Sequence, residues 1–61
     1  MLYLIVQDKD IYPVNFDSRS DFKHFCDEWI LLSKYDKMVI EISFHDKLRS
    51  EIIWRAGEGW L

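Results

Sequence analysis

Met38-Val39-Ile40-Glu41-Ile42-Ser43-Phe44-His45 is the stretch that decides the fold. Met38, Ile40, Ile42 and Phe44 alternate with Val39, Glu41, Ser43 and His45, and such alternation predicts a strand with its even-numbered face buried. Ser50, Ile52, Trp54 and Ala56 carry the even set into a following strand. Pairing even with even needs an odd loop, which Asp46, Lys47 and Leu48 supply. A two-residue loop would set Arg49 and Glu51 beside Ile42 and Phe44 on the core face, a register error worse than one exposed leucine.

Upstream, Leu2 to Gln7 is mostly large and apolar, and Ile11 to Phe16 favours strand through Tyr12, Val14 and Phe16. The two read as a hairpin closed by Asp8, Lys9 and Asp10. That loop pairs Val6 with Tyr12, Leu4 with Val14 and Leu2 with Phe16. Pro13 cannot donate to a ladder, so its strand belongs at an edge.

Between the hairpins, Ser18 followed by Asp21 resembles a capping box and starts a helix at Asp17 or Ser18. At 100° per residue, Phe22, Phe25, Cys26, Trp29, Ile30 and Leu32 share one apolar band. Lys23, His24, Asp27, Glu28 and Lys34 lie outside it, and Leu31 falls among them on the wet side.

These elements predict a single α+β domain over residues 1–61, ββαββ, with a four-stranded antiparallel sheet in the order 2-1-3-4 and one helix on one face. Residues 57–61, with Gly57 and Gly59, read as a flexible tail. The expected core is the even set of the sheet, Leu2, Leu4, Val6, Tyr12, Val14, Phe16, Met38, Ile40, Ile42, Phe44, Ile52 and Trp54, against the helix band.

One helix covers only one side of a sheet. The odd set is then expected on the uncovered face, with Tyr3, Ile5, Val39 and Ile53 forming an apolar patch and Glu41, Arg49, Glu51 and Arg55 its charged rim. Either Trp60 and Leu61 fold back over that face, or it is a protein-binding surface with Trp60 as a further anchor. The expected partner-binding residues are Tyr3, Ile5, Val39, Glu41, Ile53, Arg55 and Trp60.

Composition narrows the function classes. The chain has 61 residues, 49% hydrophobic, with 8 basic and 11 acidic side chains and a formal net charge of −3. It is too apolar for a disordered segment and too short for a two-domain cofactor enzyme. A domain of about 60 residues buries only about 60% of its unfolded surface, so it needs a further source of stability. Cys26 is the single cysteine and His24 and His45 the only imidazoles, which excludes an internal disulfide and leaves too few soft ligands for structural zinc. A partner subunit is the staple most easily available.

His24 and Cys26 stand two apart on a helix, pointing about 200° from each other, and cannot share a proton. Cys26 in the apolar band reads as a small core side chain. No catalytic, cofactor or metal residues are expected, and no enzyme. No apolar run reaches the roughly 20 residues of a spanning helix, and polar Gln7 to Asp10 come too early for a signal peptide. The expectation is a cytoplasmic protein without membrane or small-molecule partners.

The function expected is protein contact: self-association, as a homodimer, or occlusion of a larger protein. The size suits an inhibitor or adaptor of the kind carried by phages and mobile elements. The alternative is single-stranded nucleic-acid binding, with Tyr3 stacking beside Arg49 and Arg55. Interleaved charge and Glu41 and Glu51 on the same face weigh against it.

Overall fold

The first turn sets the register of the first hairpin. In the computed structural model, which describes residues 1–31 and 39–61, strand β1 is Leu2–Gln7 and β2 is Asp10–Asn15. Gln7 pairs with Asp10, so the loop is the two residues Asp8 and Lys9 and not three. Asp8 takes a positive φ of 50°, a left-handed conformation that aspartate tolerates better than most residues. The shorter loop shifts pairing by one residue, bringing Tyr12 opposite Ile5 and Val14 opposite Tyr3. Both therefore join the odd face of β1.

Helix α1, Arg19–Phe25, begins where the Ser18 hydroxyl accepts a hydrogen bond from the Asp21 amide at 3.2 Å. It continues as a π-helical turn over Cys26–Ile30, sealed by a bond from the Leu31 amide to the Cys26 carbonyl at 2.7 Å. A π turn spans five residues per hydrogen bond, so positions beyond Cys26 lag behind the α-helical phase. Trp29, expected in the core, is 65% exposed in consequence. Leu31, expected on the wet side, packs against the core with Ile30. Phe22 and Cys26 are buried as the α period predicts.

Three further strands follow: β3 Val39–His45, β4 Ser50–Arg55 and β5 Gly59–Trp60. The sheet is antiparallel with order β2-β1-β3-β4-β5, so the expected 2-1-3-4 arrangement is present and a fifth strand extends it. Two irregularities correct the expected registers. Val6 pairs with Glu41 and Gln7 with Val39, leaving Ile40 unpaired against β1. Ile42 pairs with Trp54 and Ser43 with Ile52, leaving Ile53 unpaired against β3.

The β3–β4 connection has four residues, because His45 pairs with Ser50 and the Asp46 amide donates to the Arg49 carbonyl at 3.0 Å. The Asp46 carboxylate accepts from the amides of Leu48 at 2.7 Å and Arg49 at 2.9 Å, and these bonds hold its pKa below the ordinary value. Their contribution is present above the ordinary aspartate pKa and fades as pH falls through the lowered one. Leu48 is left 94% exposed at the turn.

The tail expected to be flexible turns back along β4. Gly57 and Gly59 take φ values of 86° and 77°, and the Glu58 amide donates to the Arg55 carbonyl at 3.0 Å. Trp60 then pairs with Trp54, and its indole N–H donates to Asp27 at 3.1 Å. Lys23 Nζ lies 5.5 Å from the Trp60 ring centroid. Trp60 thus ties β5 to the helix side and neither covers nor anchors the opposite face.

The buried cluster is Tyr3, Ile5, Phe22, Cys26, Val39, Ile42, Phe44, Ile53 and Trp54. Tyr3 stacks on Phe22 with centroids 3.8 Å apart and planes 7° from parallel. Ile42, Phe44 and Trp54 are in the core as expected, but β1 is turned over. Tyr3, Ile5, Val39 and Ile53, expected on the uncovered face, lie beneath the helix. Leu2, Tyr12, Ile40 and Ile52, expected in the core, are 36%, 46%, 48% and 37% exposed. Expectations for Leu32, Lys34 and Met38 fall outside the described residues.

The Tyr3 hydroxyl is buried without a hydrogen-bond partner among the described residues. An orphaned buried hydroxyl costs about 1–3 kcal/mol. Tyr3→Phe keeps the stacked ring and is expected to raise stability by about 1 kcal/mol, read as a higher urea midpoint with unchanged slope.

Candidate protein-contact face

Strand pairing arranges the face opposite the helix as a lattice of three rows. The first row across the sheet is Ile11, Val6, Glu41, Arg55; the second Pro13, Leu4, Ser43, Ile52; the third Asn15, Leu2, His45, Ser50. Side chains at paired positions share a face, so these twelve stand together. The β2–β1 half is apolar except for Asn15, and the β3–β4 half is polar except for Ile52. Ile11 is 59% exposed, Ile52 37% and Leu2 36%, while Leu4 and Val6 are half-buried between their neighbours.

In the polar half a short hydrogen-bond chain crosses from strand to strand. His45 Nε2 lies 2.8 Å from Ser43 Oγ, and its Nδ1 lies 2.9 Å from Ser50 Oγ. Both ring nitrogens are satisfied, which fixes the orientation of the ring between the two serines. A serine next to an oriented imidazole is the beginning of a nucleophile. Here Ser43 sits mid-sheet on a strand paired on both sides, and the helix lies across the other face. The arrangement fits a polar lining better than a reaction centre.

Of the expected contact residues, only Glu41 and Arg55 stand on this face, paired across β3 and β4. Arg55 also reaches Glu58 at 3.5 Å. The residues that sequence reasoning missed are Leu2, Leu4, Val6, Ile11, Pro13 and Ile52. Their signal was the two-sided apolarity of Leu2 to Val6, which shows that both faces of β1 are apolar but not which one the helix takes.

Other features of the described residues are less suited to binding. A cleft of about 460 Å³ between α1 and β4–β5 is lined by Arg19, Lys23, Glu51, Ile53 and Trp60 among others. Its charges are already matched, Arg19 to Glu51 at 3.4 Å and Lys23 to the indole. A second hollow of about 400 Å³ is bounded by Gln7, Phe25, Trp29 and Ile30 beside the π turn. The Cys26 thiol is buried, and desolvation, with Asp27 adding to it, pushes its pKa up to about 12. No cluster of three or more metal-ligating side chains occurs among the described residues, and no described helix is long and apolar enough to cross a membrane.

No protein family, curated protein or solved structure matches this chain.

Proposed function

We propose that this chain is a non-enzymatic protein-contact module that works through the lattice face of its sheet, with a second copy as its first partner and a larger protein as the alternative. The observation that carries the reading is the apolar half of that face: Leu2, Leu4, Val6, Ile11 and Pro13 side by side, with Ile52 across the sheet. A contiguous exposed apolar surface rimmed by polar groups marks an interaction site in a soluble domain. Glu41 and Arg55 make the rim electrically balanced, so the face presents no net charge against another protein surface.

The same facts weaken the nucleic-acid alternative. Tyr3, the ring that would stack on a base, is fully buried. Arg49 packs 5.7 Å from the Phe44 ring and pairs with Glu51, on the helix side. Arg55 then stands opposite Glu41, without the basic track that phosphate binding needs.

The test is Val6→Glu. The wild type is expected to gain about 1.4 kcal/mol of dimer stability per tenfold rise in concentration, seen as a rising melting temperature. Val6→Glu is expected to melt at one temperature at every concentration and to sediment as a monomer. A variant that associates as tightly as the wild type removes the face from consideration.

A further inference from the structure

Two copies packed face to face with their strands aligned can obey a twofold axis in two ways. With the axis parallel to the strands, β1 of one copy lies over β3 of the other. Val6, Leu4 and Leu2 then press on Glu41, Ser43 and His45, burying polar groups against hydrocarbon. With the axis across the strands, each strand lies over its own copy, running the other way. The apolar half then covers the apolar half and the polar half the polar half.

From this pattern we infer that the lattice face pairs with the same face of a second copy about a twofold axis running across the strands along the row Pro13, Leu4, Ser43, Ile52. The inference rests on the protein-contact reading above and adds its partner and geometry. Apolar burial favours it over the other axis, because side chains left facing polar groups contribute little and leave those groups short of partners.

Charge favours it as well. The axis exchanges the first and third rows, so Glu41 of one copy stands over His45 of the other, and Arg55 over Ser50. Glu41 of each copy then faces the hydrogen-bonded Ser43–His45–Ser50 group of the other and not a second Glu41. Stacked sheets lie about 10 Å apart and are rotated by about 30°, which moves the outer strands by a few ångströms and keeps these neighbours. The outcome is a two-layer sandwich with the helices outside. It supplies the burial that a 61-residue domain lacks on its own.

Ile52 decides between the axes. It lies on the edgeward side of the lattice, in the middle row. Across the strands, Ile52 of each copy stands over Ile52 of the other; along the strands, it stands over Pro13 instead, far from its counterpart. Ile11, in an outer row, is distant from its own copy in both cases. The experiment is cross-linking of the full chain with a bis-maleimide of about 10 Å span, using Ile52→Cys and Ile11→Cys. Cys26 is buried with its pKa pushed up to about 12 and contributes little background.

Ile52→Cys is expected to give covalent dimer as the main product, and Ile11→Cys little. The inference is overturned if Ile52→Cys is dimeric by light scattering yet yields no covalent dimer, or if Ile11→Cys links equally well. A wild-type chain that is monomeric at every concentration also overturns it. A dimer that survives Val6→Glu instead defeats the contact-face reading itself, because it places the interface elsewhere.

Discussion

Phe22→Ala is expected to leave the chain largely unfolded at 25 °C. Phe22 is wholly buried where the helix and the sheet share an aromatic stack. Tyr3 lies flat against it at 3.8 Å, and Phe16 meets it edge-on with centroids 5.5 Å apart. Removing a buried phenyl ring costs about 3–5 kcal/mol, because the transfer free energy is lost and a cavity remains. A domain of this length holds about 3–9 kcal/mol in all. The loss is therefore of the same order as the whole. Phe22→Leu keeps most of the apolar volume and is expected to fold with a lower urea midpoint. Near-UV circular dichroism of the two variants checks this directly; a native signal in Phe22→Ala at wild-type stability would show that the stack is not what joins the layers.

Elements with a local signal could be read from the sequence, and their orientation could not. The alternation from Met38 to His45 marked a strand, and its even face is buried at Ile42 and Phe44 but not at Ile40, while Val39 and Ser43 of the odd set are buried. Ser18 and Asp21 marked a helix start, and their hydrogen bond is there. The strand order followed from Pro13 at an edge and from the direction in which a single helix must return. The first strand carried no such information, because Leu2 to Val6 is apolar on both sides. The two-residue turn sets its odd residues opposite Tyr12 and Val14, and β3 pairs them with Ile42 and Phe44, so the odd face is the buried one.

The bulges at Ile40 and Ile53 and the π turn at Cys26 have the same character. Each inserts one residue into a periodic pattern, so a reading that carries the period through them is correct on one side and wrong on the other. Ile52 changed face because the β3–β4 loop has four residues and not three, with the bulge at Ile53 returning Trp54 to the core, and the π turn exchanged Trp29 and Leu31. The existence of an apolar face without a helix was legible from counting faces. Its membership was not, apart from Glu41 and Arg55, which stand on it as expected.

The inversion of β1 gives the second large effect, a contrast between adjacent residues. Ile5 is 2% exposed and paired with Ile42, which is fully buried, so Ile5→Glu places a carboxylate in the centre of the core. A buried unpaired charge costs several kcal/mol even after the site relaxes or the group takes up a proton. The chain is expected to lose its cooperative thermal transition at neutral pH. Leu4, one residue earlier, points the other way, toward Pro13 and Ser43 on the lattice face. Leu4 is only half-buried, so the carboxylate of Leu4→Glu reaches water in the isolated chain and the monomer is expected to stay folded, with a loss of about 1–2 kcal/mol.

Association should respond in the opposite order. Leu4 lies on the proposed twofold axis, so Leu4→Glu sets two carboxylates against each other in a desolvated contact and is expected to abolish the dimer. Circular dichroism and sedimentation on the same two samples separate these effects. If both variants unfold, Leu4 belongs to the core and the lattice face is not free. If Ile5→Glu folds while Leu4→Glu does not, β1 has the reverse orientation and the odd residues Tyr3 and Ile5 return as the contact surface. Only a folded, monomeric Leu4→Glu beside an unfolded Ile5→Glu agrees with a helix over the odd face of β1 and a second copy over the even one.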